Sequence, residues 1–169
     1  PRLRAFGETL EIVIIAVCAM FLVVRPFVVQ AFYIPSASMT PTLKVDDRLI
    51  VNKLAYRFSS PARNDIVVFR APEKAQGQVG DGEEMDFVKR VIGLPGDTVE
   101  VHGGETYVNG EPLKQPGAIE PPDYDLAPFT VPKNKLFVLG DNRSHSNDSH
   151  RWGALDRDYK YNANLVSAE

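Results

Sequence analysis

With 169 residues and a net charge of −3, the chain has room for one domain, or one domain with a small insertion, and it lacks the basic excess that nucleic-acid binding needs. Its one cysteine, Cys18, excludes an intrachain disulfide and leaves no thiol-based metal site to build. Thirteen prolines and twelve glycines, spread rather than clustered, favour many short strands and turns over long helices.

The first element is apolar. Residues 12–24 (IVIIAVCAMFLVV) carry no charge, and the apolar zone extends from Leu10 to Val29 with Glu11, Arg25 and Pro26 interrupting it. A membrane-spanning helix takes about 20 mostly apolar residues at ~1.5 Å each. The longer stretch suffices if Glu11 and Arg25 reach the two interfaces. A cleaved secretory leader, with Arg2 and Arg4 as its basic region, is one rival, but no small-x-small cleavage site follows the run. A buried core helix is another, and it is disfavoured because the segment shows no polar face. The expectation is a retained single-pass anchor.

Directly after it comes Ile34-Pro35-Ser36-Ala37-Ser38-Met39-Thr40-Pro41-Thr42-Leu43, in which two hydroxyls sit two residues apart between prolines. Serine and proline together ordinarily mean a surface loop. Placed straight after a membrane-type segment, this loop would lie at the lipid surface. Whether Ser38 is a nucleophile depends on a base elsewhere in the chain.

Beyond the anchor the period becomes strand-like. Arg48–Val51, Asp65–Phe69 and Asp86–Ile92 are short β-branched and aromatic runs bounded by turn residues. Leu94-Pro95-Gly96-Asp97 predicts a tight turn into the alternating Thr98–Val101. Gly103-Gly104 leads into Thr106–Val108, and Asn109-Gly110 is a further hairpin signal. Ala71–Glu84 and Gln115–Pro128 read as loops, and Lys135–Leu139 as the last clear strand before the polar stretch 140–153. Together these predict a mainly β chain: one N-terminal transmembrane helix, then an antiparallel body with a small β-hairpin insertion. The expected segments are 1–30 for the anchor, 31–98 and 132–169 for the two parts of the catalytic core, and 99–131 for the insertion.

Three histidines are available as bases. His102 adjoins a Gly-Gly turn and reads as solvated, whereas His145 and His150 lie in the polar stretch. A Ser-His-Asp triad with Ser38 is conceivable, because triads are defined by geometry and not by order. A metal site from His145, His150, Asp141 and Asp148 matches no ligand spacing, and Ser146 occupies the sixth place of any EF-hand loop, where the turn needs glycine. Lys89 is the stronger candidate. Strand alternation puts Phe87, Lys89 and Val91 on one face and Val88, Arg90 and Ile92 on the other. Its stem could simply cover apolar surface. Buried, however, the ammonium would lose its proton easily, and a neutral amine can accept the proton of a serine hydroxyl.

Four blocks occur in order: Ser36-x-Ser38-Met39-x-Pro41-Thr42-Leu43, Asn64-Asp65-Ile66-Val67-Val68-Phe69, Lys89-Arg90-Val91-Ile92-Gly93-Leu94-Pro95-Gly96-Asp97, and Gly140-Asp141-Asn142-Arg143-x-x-Ser146-x-Asp148-Ser149. This series resembles the type I signal peptidases, membrane-bound Ser-Lys proteases that remove signal peptides from exported proteins. The Asn-Asp-Ser-His ending of the last block is most similar to the cyanobacterial and plastid branch. The resemblance implies the signal peptidase and self-cleaving-repressor fold, with Ser38 as nucleophile and Lys89 as general base. It implies that Ser36 and the backbone N–H of Ser38 receive the oxyanion. Ser146 would hold the Lys89 amine by a hydrogen bond, and Asp141, Arg143 and Asp148 would form a salt-bridged supporting shell. Ile34, Met39, Leu43, Phe87 and Val88 would line shallow apolar pockets, with Phe32 and Val68 at the second.

Those pockets would select small residues at positions −1 and −3 of a substrate bound as an extended strand. No metal or organic cofactor is implied. The implied partners are signal peptides of exported preproteins, the lipid bilayer and the export machinery. The implied place is a cell or thylakoid membrane, with the catalytic body on its trans side. A self-cleaving repressor would carry a DNA-binding helical domain in place of the apolar run, and an inactive binding domain would not need Ser38 and Lys89. The chain also departs from the common pattern. Asp46 and Asn64 stand where many members have glycine, and both residue types tolerate left-handed backbone. His150 stands where many have arginine, and 154–161 replaces a short proline-containing link.

Overall fold

The structure is a computed structural model that describes residues 2–76, 86–117, 119–156 and 163–168. Most of the loop expected at Ala71–Glu84 and most of the segment 154–161 therefore lie outside the described residues.

The apolar run forms α1 (Arg2–Val28), and along residues 7–22 its side chains are exposed: Ile12 is 67% exposed and Leu22 76%. Among the described residues no helix is long and apolar enough to cross a membrane. α1 leads directly into β1 (Val29–Tyr33), which pairs antiparallel with β2 (Arg48–Asn52). The remaining strands are β3 (Ile66–Arg70), β4 (Asp86–Gly93), β5 (Thr98–His102), β6 (Glu105–Val108), β7 (Glu111–Pro112), β8 (Leu126–Thr130), β9 (Lys135–Leu139), β10 (Leu155–Asp156) and β11 (Ala163–Ala168). One sheet has the order β1-β2-β11-β3-β4-β9-β10 and the other β7-β6-β5-β8.

Turn chemistry sets the connections. Gly103-Gly104 and Asn109-Gly110 both have positive φ at the two central positions, as two-residue hairpins require. Asp46 and Asn64 are left-handed at φ 76° and 74°, the conformation their residue types tolerate. The loop expected from Gln115 to Pro128 is shorter than that, because Leu126-Ala127-Pro128 begins β8. β8 lies at a sheet edge, and its register with β5 shifts beside Pro128, so the missing N–H interrupts no central ladder.

β4 is central, pairing with β3 on one side and β9 on the other. Its residues serve three apolar clusters. Val88 packs with Ile34, Met39, Leu43 and Val68, Phe87 and Val91 with Val67, Phe69 and Val138, and Ile92 with Val99 and Phe137. At the end of β4 the two sheets meet so closely that a Cβ on Gly93 would sit 2.7 Å from Val99 and 2.8 Å from Val131. β4 is thus fixed from every side, and its two inward cations, Lys89 and Arg90, have little freedom.

Candidate active site

Ser38 sits in a single 3₁₀ turn, Ala37–Met39. The turn is short because Pro35 precedes it and Pro41 follows it, and it is pinned by its own apolar residues. Met39 and Leu43 are buried in the cluster with Ile34, and Leu43 N donates to Met39 O at 2.9 Å. From the far end of the chain, Asn142 N donates to Ser38 O at 3.1 Å and Asn142 Nδ2 to Ala37 O at 3.3 Å. Gly140 makes this approach possible, since a Cβ there would lie 2.4 Å from Ser38 O. The N–H groups of a first helical turn have no partner within the turn, so they are free to face a bound group.

Lys89 reaches Ser38 from β4. Its Nζ donates to Ser38 Oγ at 2.7 Å, bridging 51 residues of sequence, and lies 5.2 Å from the centre of the Phe87 ring. The residue is only 4% exposed. Burial lowers its pKa from 10.5 to about 8, against the opposing influence first of Asp148 and then of Asp141. Ser36 Oγ lies 3.3 Å from Ser38 Oγ, on the exposed side.

The pair opens into a cavity of about 370 Å³ lined by Ile34, Ser36, Met39, Phe87, Val88 and His145, among others. Three of the residues expected at the pockets do not line it. Leu43 and Val68 are fully buried in the apolar cluster behind it, and Phe32 packs against that cluster. Val68 is turned into the core by the alternation of β3, while Leu43 is carried there by the turn that follows Met39, whose O accepts from Leu43 N. His145, weighed above only as a candidate base, lines the cavity, as does Asn147, which was not foreseen there.

The supporting shell is built differently from the expected one. Asp141, fully buried, accepts from Arg90 Nε at 2.8 Å, Arg90 Nη2 at 2.6 Å and Thr42 Oγ1 at 2.5 Å. Arg143 pairs with neither aspartate. It donates to Gly140 O at 2.9 Å, to Thr106 Oγ1 at 2.5 Å and to Gln115 Oε1. Arg90 has already filled the bidentate face of Asp141, and Asp148 is taken up by Gly140 N at 2.8 Å and His150. The hydrogen bond expected between Ser146 and Lys89 is absent as well. Ser146 Oγ is buried without a partner and fills the space in which a Cβ on Gly140 would lie 2.3 Å away.

The other assignments weighed for the site do not assemble. Ser38 Oγ is met by Lys89 rather than a histidine, His102 is stacked on Tyr107, and His150 turns to Asp148. Among the described residues no three His, Cys, Asp or Glu side chains gather as metal ligands.

Comparison with protein families matches residues 6–163 to the one described as "Signal peptidase, peptidase S26". The chain belongs to that family. It is 52% identical to signal peptidase I of Leptolyngbya laminosa over 134 residues, which make up 79% of this chain and 66% of that relative. It is 47% identical to probable signal peptidase I-1 of Synechocystis over 148 residues, 88% of this chain and 74% of the relative. Thylakoidal processing peptidase 1 of the Arabidopsis thaliana chloroplast is 43% identical over 124 residues, 72% of this chain and 36% of the relative. These relatives are of the cyanobacterial and plastid branch that the Asn-Asp-Ser-His block resembles. The crystal structure of a signal peptidase I from Enterococcus faecalis aligns at 27% identity and a TM-score of 0.46, over 64% of this chain and 98% of that one.

Among residues the sequence reading passed over, Arg90 matters most for this site. It lay inside the third block, next to Lys89, and its signal was a second charged residue on the opposite face of a β-branched strand. A cation on a buried strand face requires a partner, and the partner it finds is Asp141, expected to pair with Arg143 instead.

Proposed function

We propose that this chain is a membrane-anchored serine endopeptidase that removes N-terminal signal peptides from exported preproteins at small-x-small sites. The observation that carries the reading is the 2.7 Å contact between Lys89 Nζ and Ser38 Oγ at a buried amine whose pKa burial lowers from 10.5 to about 8. In the neutral amine, the same contact lets the hydroxyl proton pass to the nitrogen lone pair as Ser38 Oγ attacks the scissile carbonyl. The Lys89 ammonium so formed gives that proton to the departing amine of the mature chain, leaving the signal peptide as an ester on Ser38. Water, deprotonated by Lys89, then attacks the ester and frees Ser38. Ser36, 3.3 Å from the nucleophile, and the Ser38 N–H are the donors within reach of the oxyanion.

The cavity wall of Ile34, Met39, Phe87 and Val88 is apolar, which suits the Ala side chains of an extended substrate. The free apolar surface of α1 supports the anchor, since water gives such a helix no reason to form and a bilayer does. On this reading 1–30 anchors the chain in a cell or thylakoid membrane and 31–98 with 132–169 forms the catalytic core on the trans side. Residues 99–131 are then an insertion. Incubation in detergent with a preprotein carrying an Ala-x-Ala site, followed by N-terminal sequencing of the product, tests it. Cleavage after the second Ala is expected from the wild-type chain and none from Ser38→Ala. An unchanged rate in Ser38→Ala would sink the assignment.

A further inference from the structure

Arg143 is buried like Arg90, at 2% exposure, but it has no counter-ion. Nε donates to Gly140 O at 2.9 Å, Nη1 to Thr106 Oγ1 at 2.5 Å and Nη2 to Gln115 Oε1. All three acceptors are neutral, and one N–H on each of Nη1 and Nη2 is left over. The two buried aspartates of the same loop are closed by other donors: Asp141 by Arg90 and Thr42, Asp148 by Gly140 N and His150. Among the described residues no carboxylate lies within ion-pair distance of Arg143. A guanidinium keeps its charge at any working pH, so burying it unpaired is costly.

Arg143 is not sealed in. It forms part of the wall of a second cavity of about 290 Å³, with Thr106, Leu113, Gln115, Ile119 and Pro121 among others. Gln115 gives an independent sign of what that cavity takes. Its Oε1 accepts from Arg143, so its Nε2 is left to donate, and Nε2 is buried without a hydrogen-bond partner. Two side chains on one wall are thus short of an acceptor. Glu105, which also lines the cavity, is exposed and accepts from Tyr107 Oη at 3.0 Å. The wall is held together by the chain around it. Glu120 N donates to Asp141 O at 3.0 Å and Ser144 Oγ to Pro121 O at 2.9 Å. This cavity and the one at Ser38 share no lining residue.

We propose that the second cavity is an oxyanion site for a phosphate group, with Arg143 supplying the charge and Gln115 Nε2 a further donor. A carboxylate holds its two oxygens in one plane and answers the guanidinium alone. A phosphate is tetrahedral, and its remaining oxygens can take the amide as well. The group is the free ion or the head of a phosphoester. Binding here is read apart from cleavage, so its failure would leave the roles of Ser38 and Lys89 untouched.

The test is thermal unfolding of the full chain in detergent, titrated at matched ionic strength with inorganic phosphate, glycerol phosphate, acetate or chloride. In wild type, phosphate should raise Tm saturably, by about 2–4 °C at about ten times the half-saturating concentration, and chloride should not. Acetate should act only at higher concentration. Gln115→Leu should raise the half-saturating phosphate concentration about tenfold, as loss of one hydrogen bond to a charged group implies. Gln115→Glu gives Arg143 a carboxylate of its own, and it should raise Tm without phosphate and abolish the response. Tighter binding of glycerol phosphate supports a site for a phosphoester head, and tighter binding of inorganic phosphate a site for the free ion. No response, one that never saturates, or one equal in Gln115→Leu and wild type overturns the proposal. An equal response to acetate overturns it as well. If Gln115→Leu does not fold, Gln115→Glu carries the test: a Tm below that of wild type without phosphate would show that Arg143 lacks no anion.

Discussion

On one face of β4, Arg90 grips Asp141 with Nε and Nη2 at 2.8 and 2.6 Å and gives Nη1 to Asn64 O at 2.9 Å. On the other face, one residue earlier, Lys89 meets no carboxylate and donates to Ser38 Oγ. Both cations are buried, at 3% and 4% exposure. Arginine keeps its proton under any working condition, so a buried arginine must be neutralised by a partner. Lysine can instead give up its charge, and burial beside a hydroxyl makes that the cheaper course. The contrast separates two settings of a buried cation: Arg90 ties the loop 140–149 to the sheet, and Lys89, with no carboxylate partner, is the amine to which the proposed mechanism gives proton transfer.

The sharpest way to break this contrast is to remove Lys89 without removing its volume. In Lys89→Met, preprotein cleavage should fall by about 10³-fold or more, as loss of a positioned base implies. A variant retaining cleavage would erase the distinction between the two faces. Next in size is Arg90→Met, which should lose about 3–5 kcal/mol of stability in urea unfolding, because it leaves Asp141 charged and buried without its main partner. Adding Asp141→Leu to Arg90→Met should recover most of that loss, since the orphaned charge goes with it. If Arg90→Met were as stable as wild type, the ion pair would have no structural role.

Lys89→Met should change stability in the opposite sense. The folded pKa of about 8 lies below the ordinary 10.5, so between those values the unfolded chain binds more protons and stability rises with pH. Below pH 8 both states are protonated and the folded state bears the full cost of a buried ammonium, about 3 kcal/mol over the whole window. Lys89→Met should therefore be more stable than wild type below pH 8 and should lack the rise between 8 and 10.5. Urea midpoints at several pH values measure it, and parallel profiles for the two proteins would show that the amine carries no such cost.

Much of this arrangement was legible in the sequence, for local reasons. The hairpins at Gly103-Gly104 and Asn109-Gly110 follow from residues that accept positive φ, and the left-handed Asp46 and Asn64 likewise. The period of two in Asp86–Ile92 separated Lys89 from Arg90 before any contact was known. The partners of Arg143 and Asp148, and the unpartnered hydroxyl of Ser146, were not legible, because the polar stretch 140–153 has no period to fix which way a side chain points. There the outcome depends on which donor reaches each carboxylate first in space, and Arg90 is about fifty residues away in sequence. The same holds for β8, whose proline marked a loop locally while the sheet edge accommodated it.

The smallest expected effect concerns Thr42, the third donor to Asp141, at 2.5 Å from Oδ2. Thr42→Val keeps the side-chain shape and removes only the hydroxyl. Asp141 retains both bonds from Arg90, so Oδ2 still has a donor when the hydroxyl is gone. The cost should then be about 1 kcal/mol rather than the full value of a hydrogen bond to a charged group. The acid limb of cleavage should stay where it is, because the charge of Asp141 is still closed by Arg90. A loss in Thr42→Val as large as that in Arg90→Met would mean that the loop holding Ser38 hangs on the threonine and not on the ion pair. A shifted acid limb would mean that a change at Asp141 reaches Lys89, and the division of labour between the two faces of β4 would have to be redrawn.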